Sequence, residues 1–552
     1  MHSFGFALLA IVAQSDSQAV LRRAQRAQSG FELSRQARLP TVPARPASRC
    51  DALRGDQLIG RFCFWDDGSR SPPPPEPSSI RPFRQRLIRV LDSAAAMSPG
   101  DEWIAGQRVR YLVEDGQHDM ALSAARACRA DAWWCAALAG FALHAAGDTP
   151  AAEGAFTAAL RNMPRAERCR WNDLSPLLSG ELRQRYRQQT CEQRAALEAS
   201  LWLRAQPLFT RPGNDRRVEH YARHTVARLL VRAQSPFGRG SGEDLRELVV
   251  RYGWPIAWAQ ERPEVGATDR RIVGYGREPT YHFLPDGTRG AAEDNLDAER
   301  ARELYAPVYA TDFAILDPQV LLFRRGDSTL VVAVYDVTQD TLLQSRPLGA
   351  ALALARGETD SMVVERRDSV GPAGVLIAMA PWPATLASLE VTAGPRAYGR
   401  ARVALPERDP DARVALSDLL AFKPPDSLPG DLGDVLPHVL GSLSVPRGSR
   451  LGLYWEAYGL APAEAVAISV SVQALDKGLL KRVTESVGLV TRSPPLQLQW
   501  EERVTVQAGR AVRALEIDVS TLEPGRYRIE VAVTPVGRAP ASTSREIRVV
   551  QR

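Results

Sequence analysis

The sequence is nearly devoid of lysine: Lys423, Lys477 and Lys481 are the whole complement of a 552-residue chain. Its formal charge of +6 therefore rests on arginine, and the arginines are interleaved with acids, as in Glu261-Arg262 and Glu365-Arg366-Arg367-Asp368. A phosphate-binding surface needs positive charge gathered on one face, so no nucleic-acid partner is expected. Cysteine is missing after Cys191, and no CxxC spacing occurs anywhere, which removes the commonest zinc ligand pattern. There is no GxSxG elbow, and none of the three lysines completes an SxxK motif, which removes two serine-nucleophile classes. No stretch reaches the ~18 apolar residues that cross a bilayer, so no transmembrane span is expected.

What remains is the make-up of an ordinary globular protein, 45% hydrophobic and 24% charged. The length exceeds what one core supports, and three or four domains are expected. The six cysteines, Cys50, Cys63, Cys128, Cys135, Cys169 and Cys191, fall into three sequence-local pairs. An even count clustered in one region points to disulfides in an oxidising compartment, in preference to a zinc site or free core thiols. The count alone leaves the connectivity open. The apolar run Phe4–Ala13, with Ala13-Gln14-Ser15 as a cleavage point, reads as a signal peptide over residues 1–15, although only His2 precedes it where basic residues usually stand. A periplasmic or secreted location follows.

Residues 16–79 are rich in Arg, Pro, Gln and Ser and end in Ser71-Pro72-Pro73-Pro74-Pro75-Glu76-Pro77. They read as a segment of low order, with Cys50 and Cys63 as its one disulfide. Residues 80–191 turn helical and repeat. Gly140, Leu143, Gly147, Ala152, Phe156, Ala159 and Pro164 keep tetratricopeptide spacing, and Leu112, Gly116, Ala121, Ala125 and Cys128 form an earlier copy. Small residues at 140 and 152 let two helices approach, Phe156 fills the groove between them, and Pro164 stops the second. Such repeats do no chemistry and bind protein partners.

Within residues 192–310, Ala195–Leu203 and Val218–Val231 have helical periodicity, and Leu248–Tyr252 reads as a strand. From about Phe313 short strands dominate. Residues 311–425 are expected to form a first β-sandwich from Val320–Phe323, Thr329–Val337, Val375–Met379, Leu386–Val391 and Ala401–Leu405. Pro424 to Gly433 reads as a linker. Residues 440–552 are expected to form a second, immunoglobulin-like sandwich. Its strands are Leu451–Tyr458, Val466–Val472, Leu496–Trp500, Val512–Val519, Tyr527–Val533 and Glu546–Val550, with a tyrosine corner at Tyr527. The fold class is thus multidomain α + β.

Four segments carry a family resemblance: Leu201-Trp202-Leu203, Glu219-His220-Tyr221-Ala222-Arg223, Gly240-Ser241-Gly242-Glu243-Asp244 and Val250-Arg251-Tyr252-Gly253-Trp254-Pro255. In order and spacing they resemble the GWxTD-domain proteins of bacterial envelopes, with Ser241 and Glu243 at the namesake Trp and Thr positions. The later β modules are similar too, including Leu416-Ser417-Asp418-Leu419-Leu420, so the resemblance covers about the last 350 residues. It implies an extracytoplasmic protein without catalysis and transfers no active site.

Catalytic, cofactor and metal sites are accordingly not expected, and no cofactor is assigned. The alternative is a metal-dependent hydrolase. His220 and His224 stand at i, i+4 with Glu219 beside them, Asp244 follows, and His282 is a third candidate ligand. The HExxH motif is incomplete, because Tyr221 stands where the general base belongs. The two histidines read otherwise as helix-surface or interface residues. The glycine-rich stretch 238–242 follows a helix and precedes a presumed strand, the reverse of a phosphate loop, and reads as a plain connection. Trp133, Trp134, Trp254 and Trp258 read as core rather than as a ligand groove.

Overall fold

The computed structural model describes residues 4–43, 57–64, 73–178, 180–238, 240–262, 271–276, 281–282, 304–305, 307, 309, 312–344, 347–357, 362–380, 384–394, 396–405, 413–475 and 496–551. Cys50 and the side chains of Cys63 and His282 lie outside this set, and with them the Cys50–Cys63 pairing. The chain is mixed α/β and divides into two units. The first is Met1–Asp286 with Asp294–Thr311, and the second is Gly287–Glu293 with Asp312–Arg552. No helix among the described residues is long and apolar enough to cross a membrane.

The first unit opens with α1 (Phe4–Gln36). Residues 16–36, read from composition as loosely ordered, are helical and packed. Arg, Gln and Ala are good helix formers, and Ala24, Gln28, Phe31, Glu32 and Arg35 make one buried stripe. That stripe meets α2 (Arg81–Met97) and α3 (Glu102–Glu114), which follow the proline stretch. Its polar members are matched. Gln28 donates to Tyr111 Oη at 2.8 Å, Tyr111 donates to Glu32 at 2.6 Å, and Arg35 pairs with Glu114. A composition argument misses this stripe because its polarity is cancelled only by residues about 80 positions away.

Helices α4 (His118–Arg126), α5 (Ala132–Ala146) and α6 (Thr149–Asn162) continue the array. Asp101 caps α3, accepting from the Ile104 N–H at 2.9 Å, and Asp148 caps α6 at 3.2 Å from the Ala151 N–H. Gly147 ends α5 at φ +82°, a left-handed position that suits glycine. A Cβ at Gly140 would come within 2.9 Å of the Phe156 ring, so α5 and α6 touch at this point. The Cys128–Cys135 disulfide ties the end of α4 to the start of α5 with Cα atoms 5.6 Å apart. Helices α7 (Arg165–Asn172), α8 (Gly180–Arg187) and α9 (Ala195–Ala205) follow, with Cys169 of α7 bonded to Cys191 in the connection between α8 and α9.

α10 (Asp215–Leu229) and α11 (Glu243–Tyr252) complete the helices of this unit. The stretch expected as a strand at 248–252 is therefore helical. Leu245 and Val249, one turn apart, pack on Val226 of α10 and on Leu230, which caps its C-terminal end, and the acidic pair Glu243-Asp244 opens the first turn. Amphipathic period outweighs the β preference of Val249-Val250. Three short strands, β1 (Thr41–Val42), β4 (Ala257–Glu261) and β5 (Ile272–Tyr275), form one sheet, with β1 parallel to β4. Two-stranded ribbons pair β2 (Gln57–Ile59) with β3 (Phe62–Phe64), and β6 (Tyr281–His282) with β7 (Leu304–Tyr305).

The second unit is a stack of four β layers. The first layer is β12 (Val363–Val370), β11 (Leu348–Ala355), β14 (Leu386–Ala393), β15 (Ala397–Ala404) and β8 (Asp312–Ile315). The second is β13 (Ala373–Ala380), β10 (Ser328–Asp336) and β9 (Gln319–Arg325). Leu322, Val331, Ala333, Leu352, Leu389 and Val391 fill the space between them. The third layer holds β16 (Ala415–Leu416), β17 (Leu420–Phe422), β19 (Arg450–Tyr458), β22 (Val506–Gln507) and β23 (Arg510–Asp518). The fourth holds β18 (Ser444–Pro446), β20 (Ala465–Ala474), β21 (Leu496–Arg503), β24 (Gly525–Pro535) and β25 (Ala541–Val550). These last two share Leu453, Trp455, Val466, Ile468, Ile529 and Val531.

All the strands expected in this unit are present, but the short β8, β16, β17, β18 and β22 and the longer β11 and β12 were not foreseen: β11 is alanine-rich, and β12 is half charged and mostly exposed. The expected linker is also corrected. Leu432 and Val435, on a helical turn at Leu432–Val435, are buried with Leu321, Phe323, Val332, Val334, Phe422 and Tyr454. The second and third layers thus pack directly on each other, and the two sandwiches share a core. The Tyr527 hydroxyl donates to the Glu523 carbonyl at 2.8 Å, tying the start of β24 to the turn before it.

Candidate functional site

The residues singled out by the sequence converge on α10. Asn214 caps it, accepting from the Arg217 N–H at 3.1 Å and donating to the Trp202 carbonyl at 2.9 Å. One face of α10, with Val218, Tyr221, Ala222 and Leu229, joins the same core as Trp133, Trp134, Phe156 and Trp171 of the helical array. The opposite face, with Val226, Ala227 and Leu230, meets α11 and Phe62. α10 therefore packs in cis against α5 and α6.

His220 and His224 are not surface residues: they are 0% and 4% exposed. Their rings lie 4.6 Å apart, His220 is 5.1 Å from the Trp202 ring, and His224 stacks on Trp171 at 5.6 Å. Trp171 also lends its carbonyl to His220 Nε2 at 2.8 Å. Burial in this aromatic setting pushes His220 down to about 3, and burial with the neighbouring His220 drives His224 well below the usual imidazole range. Both imidazoles are neutral and act as packing groups.

Glu219 and Asp244 are each committed elsewhere. Burial alone would raise Glu219, but it accepts from Arg223 at 2.6 Å and from His144 at 2.8 Å, and the Arg223 charge with these hydrogen bonds holds it well below the carboxylate range. Arg223 also donates to the Arg251 carbonyl at 2.8 Å, closing the end of α11, and Gly253 at φ +84° leaves room for that guanidinium 3.3 Å from where a Cβ would stand. Asp244 holds Arg61 bidentately at 2.6 and 2.8 Å, and these hydrogen bonds depress its pKa. Arg61 also donates to the Gly240 carbonyl at 3.1 Å, so the glycine-rich stretch serves as a connection. Trp133, Trp134 and Trp258 are core residues, as expected, and Trp254 packs against the same core.

Among the described residues, the group whose ligand atoms come within metal-binding range is Cys169, Cys191 and Glu192, and there the two sulfurs are bonded to each other. Sequence reading missed a second polar centre, formed by Glu32, Arg35, Arg110, Tyr111 and Glu114 beneath α1. Burial raises Glu32, whereas Glu114, also opposed by burial, is drawn down to about 2 by Arg35, Arg110 and Arg84. The polar spacing 28, 32, 35 on a helix was its only trace in the sequence.

No family model and no curated protein matches this chain. Among solved structures it is similar to the native conformation of Escherichia coli alpha-2-macroglobulin, at 12% identity and a TM-score of 0.17 over 51% of this chain and 18% of that one. It is also similar to Escherichia coli alpha-2-macroglobulin activated by porcine elastase, at 14% identity and a TM-score of 0.15 over 43% of this chain and 23% of that one. The chain spans less than a quarter of the length of either.

Proposed function

We propose that this is an extracytoplasmic, non-catalytic binding protein of the GWxTD type, with a tetratricopeptide-like helical unit and immunoglobulin-like sandwiches behind it. The observation that carries the reading is the covalent pairing of Cys128 with Cys135 and of Cys169 with Cys191. Cytosolic reductants do not leave such bonds standing. A periplasmic or secreted site, reached through a cleaved leader over residues 1–15, belongs to the same proposal. Because α10 packs against α5 and α6, recognition by these helices falls to the faces turned away from it. Glu219, His220, His224 and Asp244, each held in packing or ion pairs, serve the fold of the helical unit.

The test is non-reducing peptide mass spectrometry on protein isolated from its native cells. Linked 128–135 and 169–191 peptides together with loss of the apolar leader are expected. Free thiols throughout and an intact leader would place the protein in the cytosol and end the proposal.

A further inference from the structure

An open cleft of about 500 Å³ lies at the seam between the second and third β layers. Its walls are two hairpin turns, Gly326-Asp327 between β9 and β10 and Ala508-Gly509 between β22 and β23. Three guanidinium groups line it: Arg324, Arg325 and Arg510. Beneath them lies Glu456, with no exposed surface. Both Glu456 oxygens are saturated. Arg325 donates to them at 2.6 and 2.9 Å, Tyr458 at 2.8 Å and Tyr454 at 3.1 Å. The Tyr458 hydroxyl in turn accepts from the Arg324 N–H at 3.0 Å, which locks the end of β9 to β19.

This arrangement leaves charge unspent. Arg325 is consumed by Glu456. Arg510 stands 3.8 Å from the same carboxylate, whose lone pairs are already taken, and its side chain is 31% exposed. Arg324 is exposed, reaches only the Gly326 carbonyl at 3.3 Å, and has no carboxylate partner among the described residues. One acid, Asp327, sits on the rim. Three arginines against Glu456 and Asp327 leave one net positive charge. The rim is also kept low at a cost: Ala508 sits at φ +48°, a left-handed conformation unfavourable for a residue with a Cβ, beside Gly509 at +76°.

We propose that this cleft binds a single carboxylate, presented by a short peptide through its side chain or its C terminus. Guanidinium groups match the planar carboxylate with paired hydrogen bonds. One unbalanced positive charge suits a monoanion, and a dianion would reverse the local charge. The volume falls within the range that holds a few residues. The Arg325–Glu456 pair, fixed by two tyrosines of β19, the strand that also carries Glu456, holds the floor in place before any ligand arrives.

The test is calorimetric titration of the full chain with three acetylated tripeptides. One is trialanine with a free C terminus, one carries a central glutamate and a C-terminal amide, and one is the trialanine amide. Saturable binding of one or both carboxylate peptides, with none of the amide, is expected, and the pair separates a C-terminal from a side-chain source. Arg324→Gln and Arg510→Gln should each weaken binding about tenfold, the usual loss for one charge-assisted contact, with thermal midpoints unchanged. Arg324 is exposed and tied only to a neighbouring carbonyl, so its variant folds even if that at 510 does not. Binding that both variants leave unchanged, no binding of either carboxylate peptide, or tighter binding of inorganic phosphate would overturn the proposal.

Discussion

Replacement of Gly140 by alanine tests whether the helical array is held by backbone contact at this point. The new methyl would lie 2.9 Å from two ring carbons of Phe156 and 3.0 Å from a third. Ordinary carbon contacts begin near ~3.5 Å. The ring cannot step aside, because Phe156 is 1% exposed and has Tyr221 behind it at 5.8 Å. Overpacking of this kind costs about 1–3 kcal/mol, and alanine regains about 1 kcal/mol of helix propensity over glycine. A net loss on the order of 1 kcal/mol is expected from urea unfolding of the full chain followed by tryptophan fluorescence. Phe156→Ala alone should cost about 3–5 kcal/mol. In that background Gly140→Ala meets no ring, so only the propensity gain remains, and the double variant should be about 1 kcal/mol more stable than Phe156→Ala. The sign reversal is the diagnostic result. Equal destabilisation by Gly140→Ala in both backgrounds would refute the contact.

The two disulfides should differ in worth, because they close loops of 22 and 7 residues of sequence separation. Loop entropy assigns about 3.4 kcal/mol to Cys169–Cys191 and about 2.4 kcal/mol to Cys128–Cys135. Serine pairs at each position, compared by urea midpoint, should rank in that order, and the reverse order would contradict it. Asp215 gives a pH signature. Burial pushes its carboxyl up to about 6 against the opposing pull of Tyr309, Arg216 and Arg211. The folded state therefore holds this proton more tightly than the unfolded chain, and its stabilising effect, complete below the unfolded value near 4, is lost as pH rises to 6. The loss is on the order of 3 kcal/mol. Asp215→Asn should gain on the parent between pH 4 and pH 7 in urea unfolding, and a constant difference between the two proteins would show that Asp215 is not protonated in the fold.

How much was legible in the sequence depended on how local the determining interactions are. The strands of the fourth layer were readable because their outer side meets solvent. Val466, Ile468, Val470 and Val472 alternate with more exposed positions, and period two is printed in the residues. Gly140, Phe156 and Pro164 were readable because a helix pair imposes spacing over about 30 residues. The cysteines were readable as neighbours along the chain. Other features existed only in the partner surface. The stripe Gln28, Glu32, Arg35 looks like a solvated helix until Arg110, Tyr111 and Glu114 close over it. His220 and His224 look like ligands until Trp171 and Trp202 enclose them. Leu248-Val249-Val250 looks like a strand until Leu245 and Val249 find α10. Alanine-rich β11 carries no pattern because it is buried on both faces, and burial on both faces erases alternation. Period and the local grouping of the cysteines were thus determined by the sequence itself. Tertiary structure decided which polar stripes are buried, which helix packs against α5 and α6, and that the two sandwiches share one core, because each of these needs surfaces brought together from distant parts of the chain.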